Sequence, residues 1–534
     1  NIMKQLDQLS RNSGVMGTYM SEFIGAGDWR LAFIHRDRIE STTVEQVNAA
    51  VQKYFIPTNR TIGNFIPTDK PERVEILHTE GVSEMVASYK GRVALDAGED
   101  FDVAYDNIQN RLDSGILPKS GIEYGFINKA NRGETVTLSF AMRTGNVDDY
   151  MNKGMTAGFV ANMLNKGTQS RSRQDIEDAL SAISSSVGFS GSNGRVFANI
   201  SSTKEHLPAA LEIMTDMLKN PKFDGKELDK IKTQRLASIE GSASDPQFLA
   251  VQRMSQINQF YPKGHPNYSP NIDEQIEMIN EVSIESVQSF YDSFYGISDN
   301  ASLVAIGSMD AEMVKTYFED NFSNFRCDKP YKEIENPFKQ NISANENIIT
   351  PDKKNAFTIG LLTLEATETD EDNAALQVAG TIFGGGFLNS RVATRLRQQD
   401  GVSYGAGAQV SIDSDPDDKN SSLIIYAIYA PMNAEKVQIG FKEELDRFIA
   451  DGITQEELNS AVNGWVQGKT VSRAKDNELS SLINNNLYFD RDMSYHAALE
   501  SQVSSLTVEK VNAVIKKYFK ALEQWTVVNG GDFK

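Results

Sequence analysis

The 534-residue sequence has one cysteine, Cys327. A lone thiol cannot close an intrachain disulfide, and its solitude also removes thiolate zinc clusters and CxxC redox chemistry from the possible functions. Basic residues are scarce beside acidic ones: 53 Lys and Arg against 73 Asp and Glu give a formal charge of -20. Binding a phosphate backbone or an anionic membrane depends on clustered cations, so nucleic acid is not an expected partner, and Lys516 and Lys517 read as a solvated helix face. No run approaches the roughly 18 apolar residues of a spanning helix, so no membrane insertion is expected. The five histidines, His35, His78, His206, His265 and His496, include no pair at HExxH or HxxEH spacing, where two imidazoles one helical turn apart meet one metal. There is no GxSxG elbow, and Gly384, Gly385 and Gly386 lack the Gly-Lys-Ser/Thr that a phosphate loop requires. The residues by themselves therefore predict no metal centre and no activated nucleophile in this chain. The opening NIMKQLDQLSRNSG shows no basic-then-apolar leader and reads as the interior of a longer protein.

What is present is an internal repeat. STTVEQVNAAVQKYF (41–55), VSIESVQSFYDSFY (282–295) and LTVEKVNAVIKKYF (506–519) superpose with Val44, Ile284 and Val508 in register. In each copy a Ser or Thr is placed to cap a helix, an apolar row follows at helical spacing, an aromatic closes it, and a β-rich segment comes next (60–67, 301–308 and 525–529). One pattern ends three domains. The expected division is the end of a preceding domain at 1–68, an extended linker without sustained periodicity at 69–117, one complete unit at 118–330 and another at 331–534. In the complete units, strand patterns (122–128 with 135–143; 356–362) precede a long helix (149–165; 372–383). A second helix and two strands follow (187–192 with 195–201; 402–412 with 422–429). That order predicts an α+β fold of repeated two-layer domains, each a mostly antiparallel sheet covered by helices.

Residues 384–404, GGGFLNSRVATRLRQQDGVSY, concentrate glycines, arginines and a tyrosine. Three glycines break the 372–383 helix. A new helix from Leu388 places Leu388, Val392 and Leu396 on one stripe, with Arg391 and Arg395 one turn apart beside it as a surface pair and Arg397 pointing elsewhere. Asp400-Gly401 is a turn signal. From Val402 the period becomes two, so that Val402, Tyr404, Ala406, Ala408, Val410 and Ile412 share a face. Composition alone reads the glycines as a helix break allowing close packing, Arg397 as a solvated helix end and Tyr404 as a core tyrosine.

The whole pattern resembles the pitrilysin or insulinase family of zinc metallopeptidases, whose members look like paired α+β domains, two per half, closing as a clamshell around a peptide. GMTAGFVANMLNKGTQSRSRQDI (154–176) is similar to the family segment in which an inverted HxxEH precedes a Leu-x-x-Gly-Thr frame, held here by Leu164, Gly167 and Thr168. The metal-motif positions are Gly158, Ala161 and Asn162, and the distal ligand position falls near Ala237-Ser238, with Glu240 close by. Zinc wants three protein ligands and an open position, which these residues do not offer. The resemblance therefore implies a degenerate, zinc-less domain. In LRQQDGVSYG, Arg397 and Tyr404 match the family's Arg-Tyr pair, implying donors that reach the substrate backbone, with Gly384, Gly385 and Gly386 as further candidate contacts. It also implies a chain that is the C-terminal, non-zinc half plus the tail of the preceding domain, with zinc in an N-terminal half. Its expected partners are that half and a peptide or unfolded-protein substrate, in a bacterial periplasm or envelope. The alternative is a non-catalytic scaffold subunit of the same fold. A nucleotide site on the glycines is the least supported reading.

Overall fold

The computed structural model describes residues 2–11, 13–59, 81–91, 97–192 and 194–533. The β-rich segment expected at 60–67 and His78 lie outside these residues. Eleven strands are seen among the described residues. Six form one sheet: β1 (Asp113–Ile116), β2 (Glu123–Asn128), β3 (Thr135–Arg143), β4 (Ser186–Ser192), β5 (Arg195–Thr203) and β6 (Asn300–Gly307), in the order β1-β2-β6-β3-β5-β4. The other five are β7 (Ala344–Ile349), β8 (Ala356–Glu365), β9 (Ser403–Ser411), β10 (Asn420–Tyr429) and β11 (Thr526–Gly531), in the order β7-β11-β8-β10-β9. Each sheet has one parallel pair, β2 with β6 and β7 with β11; the remaining pairs are antiparallel. The α+β architecture is therefore as the order of elements predicts.

The three repeat helices are Val44–Tyr54, Ile284–Phe294 and Val508–Tyr518. Thr43, Ser283 and Thr507 cap them, each hydroxyl accepting a backbone N–H one turn on. The second and third helices bury their apolar rows: Val287, Phe290 and Phe294 in one core, Val511, Val514 and Ile515 in the other. β6 and β11 follow them into the centre of the sheets.

The sequence did not disclose how the second face of each sheet is covered. The helix Asp476–Tyr488, from the second repeat, packs Leu479 and Ile483 onto Ile127, Val304 and Ile306 of the first sheet. It comes so close that a Cβ on Gly125 of β2 would lie 2.7 Å from Ile483 Cγ2. Reciprocally, the helix Pro246–Ile257 of the first repeat packs Ala250 and Met254 onto Phe357, Ile359 and Val528 of the second. There Gly530 of β11 lies under the Pro246 carbonyl, 2.4 Å from where its Cβ would be. This is why β6 and β11 are buried on both faces.

Two local expectations are corrected. At 69–117 the expectation of extended chain gives way, among the described residues, to the helices Val82–Ala87 and Tyr105–Arg111 and strand β1, the second helix anchored by Ile108 in the same inter-repeat cluster. The helix expected at 149–165 is two, Val147–Tyr150 and Gly154–Met163, broken at Asn152, whose φ is 62° and whose N–H donates to Gly264 O at 2.7 Å. That contact across the chain outweighs continuation of the helix.

Candidate functional site

The unit around residues 384–404 is built by close approach of helix to strand. The helix Asn373–Gly380 widens into a π turn, Thr381–Gly385, and ends where Gly386 N–H donates to Thr381 O at 2.9 Å. A Cβ on Gly380 would lie 2.4 Å from Val410 Cγ2, and one on Gly384 would lie 2.1 Å from the Ala408 nitrogen. These glycines let the helix backbone lie directly on β9. Gly385 is different, its nearest neighbour being 3.5 Å away.

Ser390 then caps Arg391–Ala393, and a second π turn, Thr394–Gln399, carries Arg395 and Arg397. Val392 and Leu396 are buried as expected, whereas Leu388 is 38% exposed. Asp400 N–H donates to Arg395 O and Val402 N–H to Leu396 O, both at 3.0 Å, and Gly401 takes φ 62° to reverse the chain into β9.

Arg391 and Arg395 are not a surface pair. Arg391 grips Glu457 through two bonds, Nε to Oε1 at 2.6 Å and Nη2 to Oε2 at 2.8 Å, gives a third to Gly452 O, and lies over the Phe448 ring. Burial works to raise the Glu457 pKa, but the bonds from Arg391 and from Thr454 outweigh it, and the carboxyl is held below its ordinary value. Arg395 bonds Asp400 and Glu443. Glu444, in the same charged cleft of about 450 Å³, is pushed up by burial. The charges here answer one another.

Arg397 and Tyr404 are what remains. Arg397 is exposed and makes no ion pair or side-chain hydrogen bond among the described residues. Tyr404 is 59% exposed, and its hydroxyl likewise has no partner among them. The core reading of this tyrosine is overturned, and the reason is a β-bulge: Ser403 pairs with Tyr429 and Gly405 with Ile428, leaving Tyr404 the unpaired extra residue. Ser403 Oγ donates to Ile428 O at 2.8 Å and accepts Gly405 N–H at 3.2 Å, which holds the bulge in place. The side chain thus leaves the apolar row that Ala406 and Ala408 continue. β9 is moreover the edge of its sheet. A guanidinium with five N–H donors and a phenol O–H, all unspent, flank one turn at an open strand edge, an arrangement able to hold a carbonyl or a developing oxyanion.

The metal-motif positions lie on the helix Gly154–Met163, and the residues there do not fit zinc. Ala161 is 2% exposed and faces β4 at Gly191, whose Cβ would lie 3.2 Å from its own. The space a glutamate would need is closed. Gly158 has no side chain, and Asn162 is exposed. Arg235, on the helix Gly225–Ser242 where the distal ligand was sought, reaches back instead: Nη2 donates to Gly158 O at 3.0 Å and the guanidinium lies 4.0 Å from the Phe159 ring centroid. Ala237, Ser238 and Glu240 of that helix are exposed. Arg235 escaped sequence reading because that reading sought a carboxylate. Elsewhere His265 stacks on Tyr261, His496 bonds Asn486, and burial raises the Cys327 thiol. Among the described residues, no three His, Cys, Asp or Glu cluster as a metal would require. No helix among them is long and apolar enough to cross a membrane.

Residues 126–271 match the family model described as insulinase, peptidase family M16, and residues 281–464 match the one described as the peptidase M16 inactive domain. The non-peptidase homolog YmxG of Helicobacter pylori is 23% identical over 400 residues, covering 74% of this chain and 86% of its own length. An uncharacterized zinc protease of Mycobacterium tuberculosis is 23% identical, covering 67% of this chain and 80% of its own. Among solved structures, the M16 inactive domain from Pseudomonas fluorescens aligns with a TM-score of 0.68 at 17% identity, over 79% of this chain and 97% of that one. The periplasmic protease PqqL of Escherichia coli aligns at 0.64 and 12% identity over 99% of this chain, which spans 62% of that protein.

Proposed function

Since the chain belongs to peptidase family M16, we propose that it is the peptide-binding, non-zinc half of a metalloendopeptidase, with Arg397 and Tyr404 holding the substrate backbone. The observation that carries this reading is the pair itself: two donors that a π turn and a bulge hold out to solvent, unspent on the protein. The domain division at 1–68, 69–117, 118–330 and 331–534 belongs to the same proposal. So do a zinc-bearing N-terminal half as partner, a peptide or unfolded protein as substrate, and a periplasmic location, the last supported by the likeness to a protein described as periplasmic. A positioned donor is worth about 3 kcal/mol of barrier, or a factor of roughly 100 in rate. Peptide hydrolysis by the assembled enzyme should therefore fall by about that much in Arg397→Ala and by less in Tyr404→Phe. Unchanged kcat/KM in both variants sinks the assignment.

A scaffold role is the second reading, favoured by the relative named a non-peptidase homolog. Pull-down with a tagged chain separates the two. Co-purification of a zinc-bearing chain that gains peptidase activity on association supports the first; a stable complex without hydrolysis supports the second.

A further inference from the structure

The vestigial metal position is not simply blank. Where the motif would present imidazoles and a carboxylate to a cation, the chain presents a cation of its own. Arg235 has five N–H donors, of which Nη2 is engaged with Gly158 O and Nη1 approaches Met155 Sδ at 3.8 Å. No carboxylate among the described residues pairs with it, although the protein carries a formal charge of -20. A Cβ on Gly158 would meet Arg235 and nothing else within 4 Å, so the guanidinium lies directly over the bare backbone of that turn. Asn162, one turn further along the same helix face, is exposed, and its amide makes no hydrogen bond to the described residues. Burial without a counter-ion lowers the Arg235 pKa, as expected for a cation desolvated and left unpaired.

We propose that Arg235, with the Asn162 amide one turn along the helix from Gly158, is a carboxylate-binding subsite for an acidic residue or the C-terminal carboxylate of a bound peptide. The sign of the site is reversed relative to a metal motif: a ligand set that would hold a cation through anionic and neutral donors has become a set of N–H donors that holds an anion. Guanidinium matches carboxylate geometry with two parallel bonds, and the Phe159 ring beneath it, together with the Met155 thioether that accepts from Nη1 at its edge, fixes the plane of the fork. Aromatic support and partial burial keep the charge from full hydration, which is what makes it available to a ligand.

The inference rests on the peptide-binding reading for the choice of carrier but not for the anion chemistry. Fluorescence anisotropy on the full chain, with a labelled peptide bearing an internal Glu, its Gln counterpart, and each with a free or amidated C-terminus, tests the two separately. Preference for the charged member of one pair by about tenfold is expected, and Arg235→Met, which keeps length and apolar contact, should abolish that preference. Arg235→Lys should restore part of it, and Arg397→Ala should weaken all four peptides alike. Should Arg235→Met fail to fold, Asn162→Ala on the exposed face should still narrow the preference. Equal affinity for charged and neutral peptides, or a preference that survives in Arg235→Met, overturns the subsite. The peptide-binding reading fails by a different result, namely indifference of all four peptides to Arg397→Ala.

Discussion

Gly384→Ala should destabilise the second repeat, and the structure fixes by how much relative to its neighbours. The added methyl would lie 2.1 Å from the Ala408 nitrogen, 2.2 Å from its Cβ and 2.5 Å from its Cα. None of these is the far end of a flexible side chain, so relief requires moving a helix away from a strand inside a buried contact. Overpacking of this kind costs about 3 kcal/mol, offset by less than about 1 kcal/mol gained from a stiffer unfolded chain. Gly385→Ala meets its nearest atom at 3.5 Å, an ordinary contact, and should be neutral or slightly stabilising. Gly386→Ala, at 3.3 Å from Thr381 O, should fall between them. A domain of this size shifts by about 2–4 °C per kcal/mol, so a net cost of about 2–3 kcal/mol should appear in calorimetry as a Tm lower by roughly 4–12 °C for Gly384→Ala and nearly unchanged for Gly385→Ala. If the three alanines cost the same, the glycines serve chain flexibility or ligand contact, and the packing argument fails.

Arg397→Ala and Tyr404→Phe should leave Tm within the equivalent of about 0.5 kcal/mol, since neither group has a partner to lose; a larger fall would mean both are structural. Ala161→Glu should cost about 3 kcal/mol by forcing a carboxylate against Gly191, read by urea unfolding, and a neutral result would show that the closed pocket can open. Arg391→Leu strands Glu457 half-buried and should cost about 2 kcal/mol, with Arg391→Leu/Glu457→Leu recovering part of it in a double-mutant cycle. His496 is held neutral by burial, helped by Lys469, Arg491 and Arg473, with its pKa brought down to about 4. Its folded value lies below the unfolded one near 6.5, so the stability it contributes is whole above pH 6.5 and is lost as pH falls toward 4. After allowance for solvent screening the loss is roughly 2 kcal/mol, and His496→Gln should flatten that part of the pH–stability curve.

Much of this was legible in the letters. The three caps, Thr43, Ser283 and Thr507, and the strands after two of them follow from local chemistry that a sequence states outright. The apolar run ASLVAI at 301–306 hinted at a strand covered twice, because a sheet with one wet face alternates. It could not say that the second cover comes from a helix nearly 180 residues downstream. Tyr404 departs from the row because a period-two pattern assumes unbroken pairing, and as the extra residue of a bulge it turns outward while Val402 and Ala408 on either side stay buried. Arg391 was misplaced for a related reason: a helical wheel shows which residues share a stripe, not which carboxylate waits opposite. Arg235 is silent in the letters because a motif specifies the residues a position should hold and not the side chain that reaches it from another helix.

The exchange of helices between the two sheets has a consequence for what can exist separately. Severed between 331 and 340, the first piece keeps Pro246–Ile257 with no sheet to lie on and bares Ile127, Val304 and Ile306, while the second loses the cover over Phe357, Ile359 and Val528. Each repeat reads as a domain by length and by its own core, yet each is the other's missing layer. The smallest heritable piece of this architecture is therefore the pair. Duplication, fusion or fission of such a gene would have to carry both repeats together, and a split chain should regain solubility only when its two parts are made in the same cell.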